Sequence, residues 1–188
     1  MSALDFGLSG KKVVIIGSSA GIGLAVATEF TRHGVDLVVT SHLDDVFDAK
    51  KQIERDTGRE VTAMKFDIAE RDQVRGAFEE IGDLDVLINN AAVFGPTPVG
   101  DLGNETADWF RRHFDVNVLG GYWCAQEAAA RMKPGGRIIF TASIWGKIAA
   151  RGNFAAYISS KHAVLGLVRS LACDLGDEQI TVNAVCPG

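Results

Sequence analysis

Hydrophobic positions along this chain follow two alternating rhythms. Short apolar runs, KVVIIG (12–17), DLVVT (36–40), VTAMKF (61–66), DVLIN (85–89), RIIFTA (137–142) and ITVNAV (180–185), have the length and branched-residue content of buried strands. Between them, stretches near 21–33, 43–57, 70–81, 105–132 and 154–175 carry apolar residues at a helical period. In the last of these, Ala163, Leu167 and Leu171 recur at every fourth position beside Val164 and Val168, so one helix face must meet an apolar surface. Strand and helix alternate without internal repeats or low-complexity tracts, which predicts an α/β, three-layer, doubly wound parallel sheet. The stretch GPTPVGDLGNET (95–106) holds two of the four prolines and reads as a surface loop after the fourth strand, not as a linker. Residues 1–188 therefore read as a single domain.

Composition narrows the partners. With 47% hydrophobic and 23% charged residues the 188-residue chain is an ordinary globular one. A net charge of -5 gives no basic field for nucleic acid or an anionic membrane. The opening MSALDFGLSGKK has no apolar signal core, and no window reaches the run of about 18 apolar residues that a membrane span needs. A cytoplasmic location is the expectation. Cys124, Cys173 and Cys186 match neither a disulfide scaffold nor a metal site and read as buried or neutral thiols. His33, His42, His113 and His162 lack ligand spacing; they read as surface or rim residues, with no metal. Trp109, Phe110, Phe114, Tyr122 and Trp123 give the 105–132 stretch an aromatic face suited to core or subunit contact.

The first candidate chemistry lies in VVIIGSSAGIGLAVA. Gly17, Gly21 and Gly23 follow a buried strand and open a helix. There Gly17 permits a tight turn, Gly21 lets backbone N–H groups approach a pyrophosphate, and Gly23 allows close helix packing, with Ser18 and Ser19 as further donors. Glycine also collects in plain strand-to-helix turns. The spacing G-x-x-x-G-x-G is looser than G-x-G-x-x-G, so another nucleotide or a methyl-donor cofactor stays open on this loop alone.

The second lies in AYISSKHAV. Tyr157 and Lys161 stand four apart and share a helix face. A phenol ionises near pH ~10, and an adjacent ammonium together with an oxidised nicotinamide would depress that value. Tyr157 could then act as general acid or base. Ser143 follows the strand RIIFTA, where its hydroxyl could stabilise charge developing on a substrate oxygen. Asn117, inside a helical stretch, is placed against its propensity unless its amide has a task.

Taken with Tyr157-x-x-x-Lys161, Asp67, NNAA (89–92), Asn117, Ser143 and the terminal NAVCPG, the glycine loop makes this chain resemble a classical short-chain dehydrogenase/reductase over essentially its whole length. The resemblance implies a Rossmann fold, an NADP or NAD cofactor, and hydride transfer between that cofactor and a ketone or secondary alcohol. It also implies that Lys161 holds the nicotinamide ribose and that Asn117 organises a proton-relaying water. Ser143 would polarise the carbonyl, and Asp67 and Ile68 would meet the adenine. The cofactor wall would comprise Gly17, Ser18, Ser19, Gly21, Ile22, Gly23, Asn90, Ala91, Tyr157, Lys161, Pro187 and Gly188. By the same likeness an asparagine amide of NNAA (89–92) braces the sheet, and the helices at 105–132 and 154–175 pair copies into a homodimer or homotetramer.

Several positions depart from the family pattern. Where NAD users often carry an aspartate after the second strand, Ser41 and His42 stand, which favours NADP, with both residues expected to meet the 2'-phosphate. Ala20 occupies a loop position at which some NADP users carry a basic residue. Ile16 replaces a common threonine, Ala92 a common glycine, and the fourteen positions from Ser143 to Tyr157 exceed the usual spacing by one. The family's last strand and substrate-covering segment would follow Gly188, so ITVNAV is expected at an apolar sheet edge. A dinucleotide-binding module without turnover is the alternative.

Overall fold

The computed structural model describes residues 6–188. Residues 1–5, part of the stretch read as lacking a signal core, lie outside the described residues. In chain order the elements are β1 (Lys12–Ile16), α1 (Gly21–Arg32), β2 (Asp36–Ser41), α2 (Asp45–Thr57), β3 (Thr62–Lys65), α3 (Arg71–Ile81) and β4 (Val86–Asn89), followed by α4 (Asn104–Phe114), α5 (Gly121–Ala129), β5 (Arg137–Thr141), α6 (Ala155–Asp174) and β6 (Thr181–Val185). The strands form one parallel sheet of order β3-β2-β1-β4-β5-β6, each expected strand in its place.

The pleat explains why the apolar runs are continuous. Val14 and Ile16 face one apolar layer, built with α3, α5 and α6, while Val13 and Ile15 face a second, built with α1 and α2. A strand buried on both faces has no place for a polar position. Ile15, Ile16, Leu87 and Ile138 are essentially inaccessible, each side chain contributing about 1.5–3 kcal/mol of burial. The connections leave β1 and β4 toward opposite edges of the sheet, so a crevice opens beyond their C-terminal ends, where open parallel sheets bind ligands.

Four expectations need correction. The stretch 105–132 is not one α-helix: a π-helical segment, Asp115–Gly120, separates α4 from α5. The loop at 95–106 is not wholly superficial, because Thr97 is buried at 3% exposure and its Oγ1 accepts from Ala156 N at 3.0 Å, tying the loop to the first turn of α6. His113 is not a surface residue; it is fully buried, its Nδ1 is 2.8 Å from Trp109 O, and its Nε2 has no partner. Lastly β6 is an edge among the described strands, but an alternating one: Val182 is buried while Thr181, Asn183 and Val185 are exposed. Tyr122 and Trp123 pack on the core, whereas Phe110 stacks on Phe114 and stays exposed. Cys124 is buried, Cys186 partly so, and Cys173 exposed. No helix among the described residues is long and apolar enough to cross a membrane.

Candidate active site

The turn after β1 is shaped by close approach. Gly17 has φ 75, and a Cβ there would fall 2.6 Å from Ala91 Cα, so a side chain is excluded by conformation and by space. Asn90 donates from Nδ2 to Gly17 O at 2.7 Å, and Gly23 packs so tightly on the same carbonyl that a Cβ would collide with it. The N-cap Ala20 offers no side-chain acceptor, so the first N–H groups of α1 are left for a ligand's anion.

Ser18 does not join them through its hydroxyl. That group is buried, donating to Ile15 O at 3.0 Å and accepting from Thr40 N at 2.8 Å, and thus pins β1 to β2. Ser19 remains on the cavity side, with its Oγ 3.4 Å from Ser41 Oγ.

Two cavities meet over the switch point, sharing Asn90 and Ala92. The first, about 310 Å³, is bordered by Gly17, Ser19, Ser41, His42, Asp67, Ile68, Asn90, Ala91 and Arg112. The second, about 440 Å³, is bordered by Ile22, Asn90, Ser143, Tyr157, Lys161, Pro187 and Gly188 together with Phe94, Ile144 and Trp145. Of the candidate catalytic and cofactor-binding residues, Ser18, Gly21, Gly23 and Asn117 line neither.

In the first cavity Asp67 does not cap α3. Its Oδ1 accepts from Ala69 N at 2.9 Å and its Oδ2 from Arg112 Nη2 at 2.8 Å. Burial opposes ionisation of this carboxyl, but the Ala69 N–H and the Arg112 guanidinium outweigh it and hold the pKa below the usual value. Arg112 was invisible to spacing arguments because its partner lies on another element. Only its position on α4, five residues before Asn117, could have flagged it.

In the second cavity α6 presents Tyr157 and Lys161 one turn apart, with Lys161 Nζ 5.6 Å from the Tyr157 ring centroid. Lys161 is 3% exposed and donates to Thr141 O at 2.7 Å, and burial brings its pKa down to about 8 despite an opposing influence of Cys186. The expected depression of the tyrosine is not what the surrounding residues produce: burial pushes the Tyr157 phenol up, and hydrogen bonding with Ser143 only partly opposes it. Ser143 leaves β5 in extended conformation, and its Oγ accepts from Trp145 N at 3.1 Å, opening a 3-10 turn over Ile144–Gly146.

Asn117 sits in the π-helical segment at 4% exposure, and its side chain is spent on the protein. Oδ1 accepts from Val93 N at 2.7 Å, and Nδ2 donates to Val93 O and Ser160 Oγ, both at 3.0 Å. The amide therefore clamps the segment following β4 against α6, where the resemblance suggested that it would hold a water. π-Bulges recur at such places because they let one side chain leave the helical register. Asn89 donates to Gly121 O at 3.1 Å and so braces β4 against α5. Among the described residues no group of three or more His, Cys, Asp or Glu converges on a metal site.

A model of the short chain dehydrogenase family matches residues 11–188. The chain belongs to that family. Versicolorin reductase 1 of Dothistroma septosporum is 40% identical over 194 residues, spanning 100% of this chain and 72% of that protein. The crystal structure of BdcA in complex with NADPH superposes with a TM-score of 0.84 at 38% identity, covering 96% of this chain and 71% of the other. A short chain dehydrogenase from Burkholderia cenocepacia J2315, in complex with NADP, gives 0.88 at 33% identity, covering 96% and 75%. The glycine cradle and the uncapped start of α1 leave room for the phosphates of a nicotinamide dinucleotide, the cofactor class held by these neighbours.

Proposed function

We propose that this short-chain dehydrogenase reduces a ketone, or oxidises the corresponding secondary alcohol, with NADP as the preferred nicotinamide cofactor. The observation that carries the reading is the position of Tyr157, Lys161 and Ser143 on a cavity that adjoins the glycine-loop cavity through Asn90 and Ala92. When bound, a reduced nicotinamide would supply the hydride that the carbonyl carbon accepts. Ser143 Oγ holds the carbonyl oxygen, and Tyr157 gives its phenolic proton to that oxygen as the C–O double bond becomes a single bond. In the reverse direction Tyr157 accepts the proton. Lys161 brings positive charge beside the phenol and offers Nζ to ribose hydroxyls. Asn117 keeps α6 in position through Ser160 and Val93. Gly17, Gly21 and Gly23 admit the pyrophosphate, and Asp67 and Ile68 border the adenine end.

The absence of a carboxylate at Ser41 favours NADP over NAD, with Ser19, Ser41 and His42 receiving the 2'-phosphate. BdcA and the Burkholderia cenocepacia protein, held with NADPH and NADP, support the choice. The same reading takes the chain as one catalytic unit whose exposed Phe110 on α4 helps two copies meet. Titration of the protein with NADPH and NADH, followed by nicotinamide fluorescence, is expected to give tighter NADPH binding. Tighter NADH binding would overturn the cofactor choice. Failure to oxidise NADPH with any of a broad ketone panel would leave a binding module only.

A further inference from the structure

The proposed acid–base tyrosine stands inside a cluster of aromatic rings. Phe94 lies edge-on to Tyr157, with centroids 4.9 Å apart at 90°, and Trp145 does the same at 6.0 Å and 79°. Phe154 closes the group from behind: it stacks on Phe94 at 4.9 Å and 23° and lies 5.2 Å from Trp145. The support is asymmetric. Phe94 has Phe154 stacked on it, yet it remains 57% exposed, so part of the ring stays open to the cavity. Phe94 and Trp145 both border the second cavity, which Phe154 does not. Phe154 thus fixes the Phe94 ring without using the surface offered to a ligand.

The rest of the cavity wall narrows the chemistry. Its polar side chains are Asn90, Thr141, Ser143, Tyr157 and Lys161, with the indole N–H of Trp145 as one further donor. Three of these are used in the proposed reaction, and Lys161, the one charged side chain that the described residues place on this wall, already donates to Thr141 O. A polyol would leave hydroxyls against Ile22, Phe94 and Ile144, whose side chains offer no hydrogen-bond partner. An apolar ligand suits that wall, and flat rings suit it best, because aromatic pairs gain from offset-stacked and edge-to-face geometry beyond the area they bury.

We infer that the substrate is a planar aromatic ketone, its ring stacked on the open part of the Phe94 ring beside Trp145 and its carbonyl directed to Ser143 and Tyr157. This rests on the ketone-reduction reading above and adds the substrate class. The sequence offered a faint signal: Phe154 precedes Tyr157 by three positions and Trp145 follows Ser143 by two, but Phe94 comes to them from the loop after β4.

The test is equilibrium binding of 2-acetylnaphthalene and of its saturated counterpart, acetyldecahydronaphthalene, to the protein with oxidised NADP, measured by calorimetry. The aromatic ketone is expected to bind at least about tenfold tighter, the factor that one or two ring contacts supply. Phe94→Leu, which keeps apolar volume but not the ring, is expected to cut that preference to about threefold or less, with thermal midpoint checked to show that the variant folds. Trp145→Leu should do the same independently. Equal binding of the two ketones, or a preference that survives both variants, overturns the inference. Selective aromatic binding with no NADPH-dependent reduction of any ketone supports the aromatic pocket and counts against the hydride-transfer reading instead.

Discussion

At the scale of single residues, Lys161 is a cation held almost out of water, with its pKa brought down to about 8 from an ordinary 10.5. The folded value lies below the unfolded one, so between these values the unfolded chain binds more protons. The cost of burying the charge is therefore full below pH 8 and is relieved as pH rises toward 10.5. Wild-type protein should gain thermal stability relative to Lys161→Met between pH 7 and pH 10, measured by calorimetry; a constant difference would show that Lys161 is not so buried. Activity should move the other way, declining above about pH 8 as the ammonium is lost. In the proposed NADP site His42 is offered to the 2'-phosphate. His42→Ala should lower the ratio of NADPH to NADH affinity by roughly three- to tenfold, the worth of about one hydrogen bond, as read by titration of both cofactors. The shared face of Tyr157 and Lys161 was legible, because a spacing of four on a helix brings two side chains together. Ser18, Thr97 and Arg112 were not, since each meets a partner that the fold brings from elsewhere.

Elements were legible wherever burial on both faces enforces a continuous apolar run, as in β1 and β4. The helix at 105–132 was legible as helical but not as interrupted, because moving from an i→i−4 to a wider hydrogen-bond ladder at Asp115–Gly120 leaves the apolar period almost unchanged. That interruption places Asn117 where it bridges Val93 and Ser160. Asn117→Ala removes its three hydrogen bonds and takes their partner from the part-buried backbone N–H and C=O of Val93. It should cost about 1–3 kcal/mol in denaturant unfolding and weaken cofactor binding as the segment after β4 loosens. Unchanged stability would show that the clamp contributes nothing. Asn117→Asp should keep the acceptor to Val93 N but lose the donors, and so fall between wild type and alanine.

For the whole molecule, alternation of strands and helices was enough to forecast the sheet, because right-handed crossovers leave few ways to order six parallel strands. The order places the glycine loop and the α6 face on one rim, although Gly17 and Tyr157 are far apart in sequence. The sequence could not disclose that the rim holds two cavities joined at Asn90, or that rings from the loop after β4 and from the turn after β5 converge on Tyr157. The central claim is that this rim transfers hydride with Tyr157 as the proton donor. Its most direct test is ketone reduction by Tyr157→Phe, with NADPH affinity measured on the same preparation. The account predicts a loss of about 10²–10⁴ in kcat with the NADPH dissociation constant essentially unchanged, and undiminished turnover in that variant would contradict it.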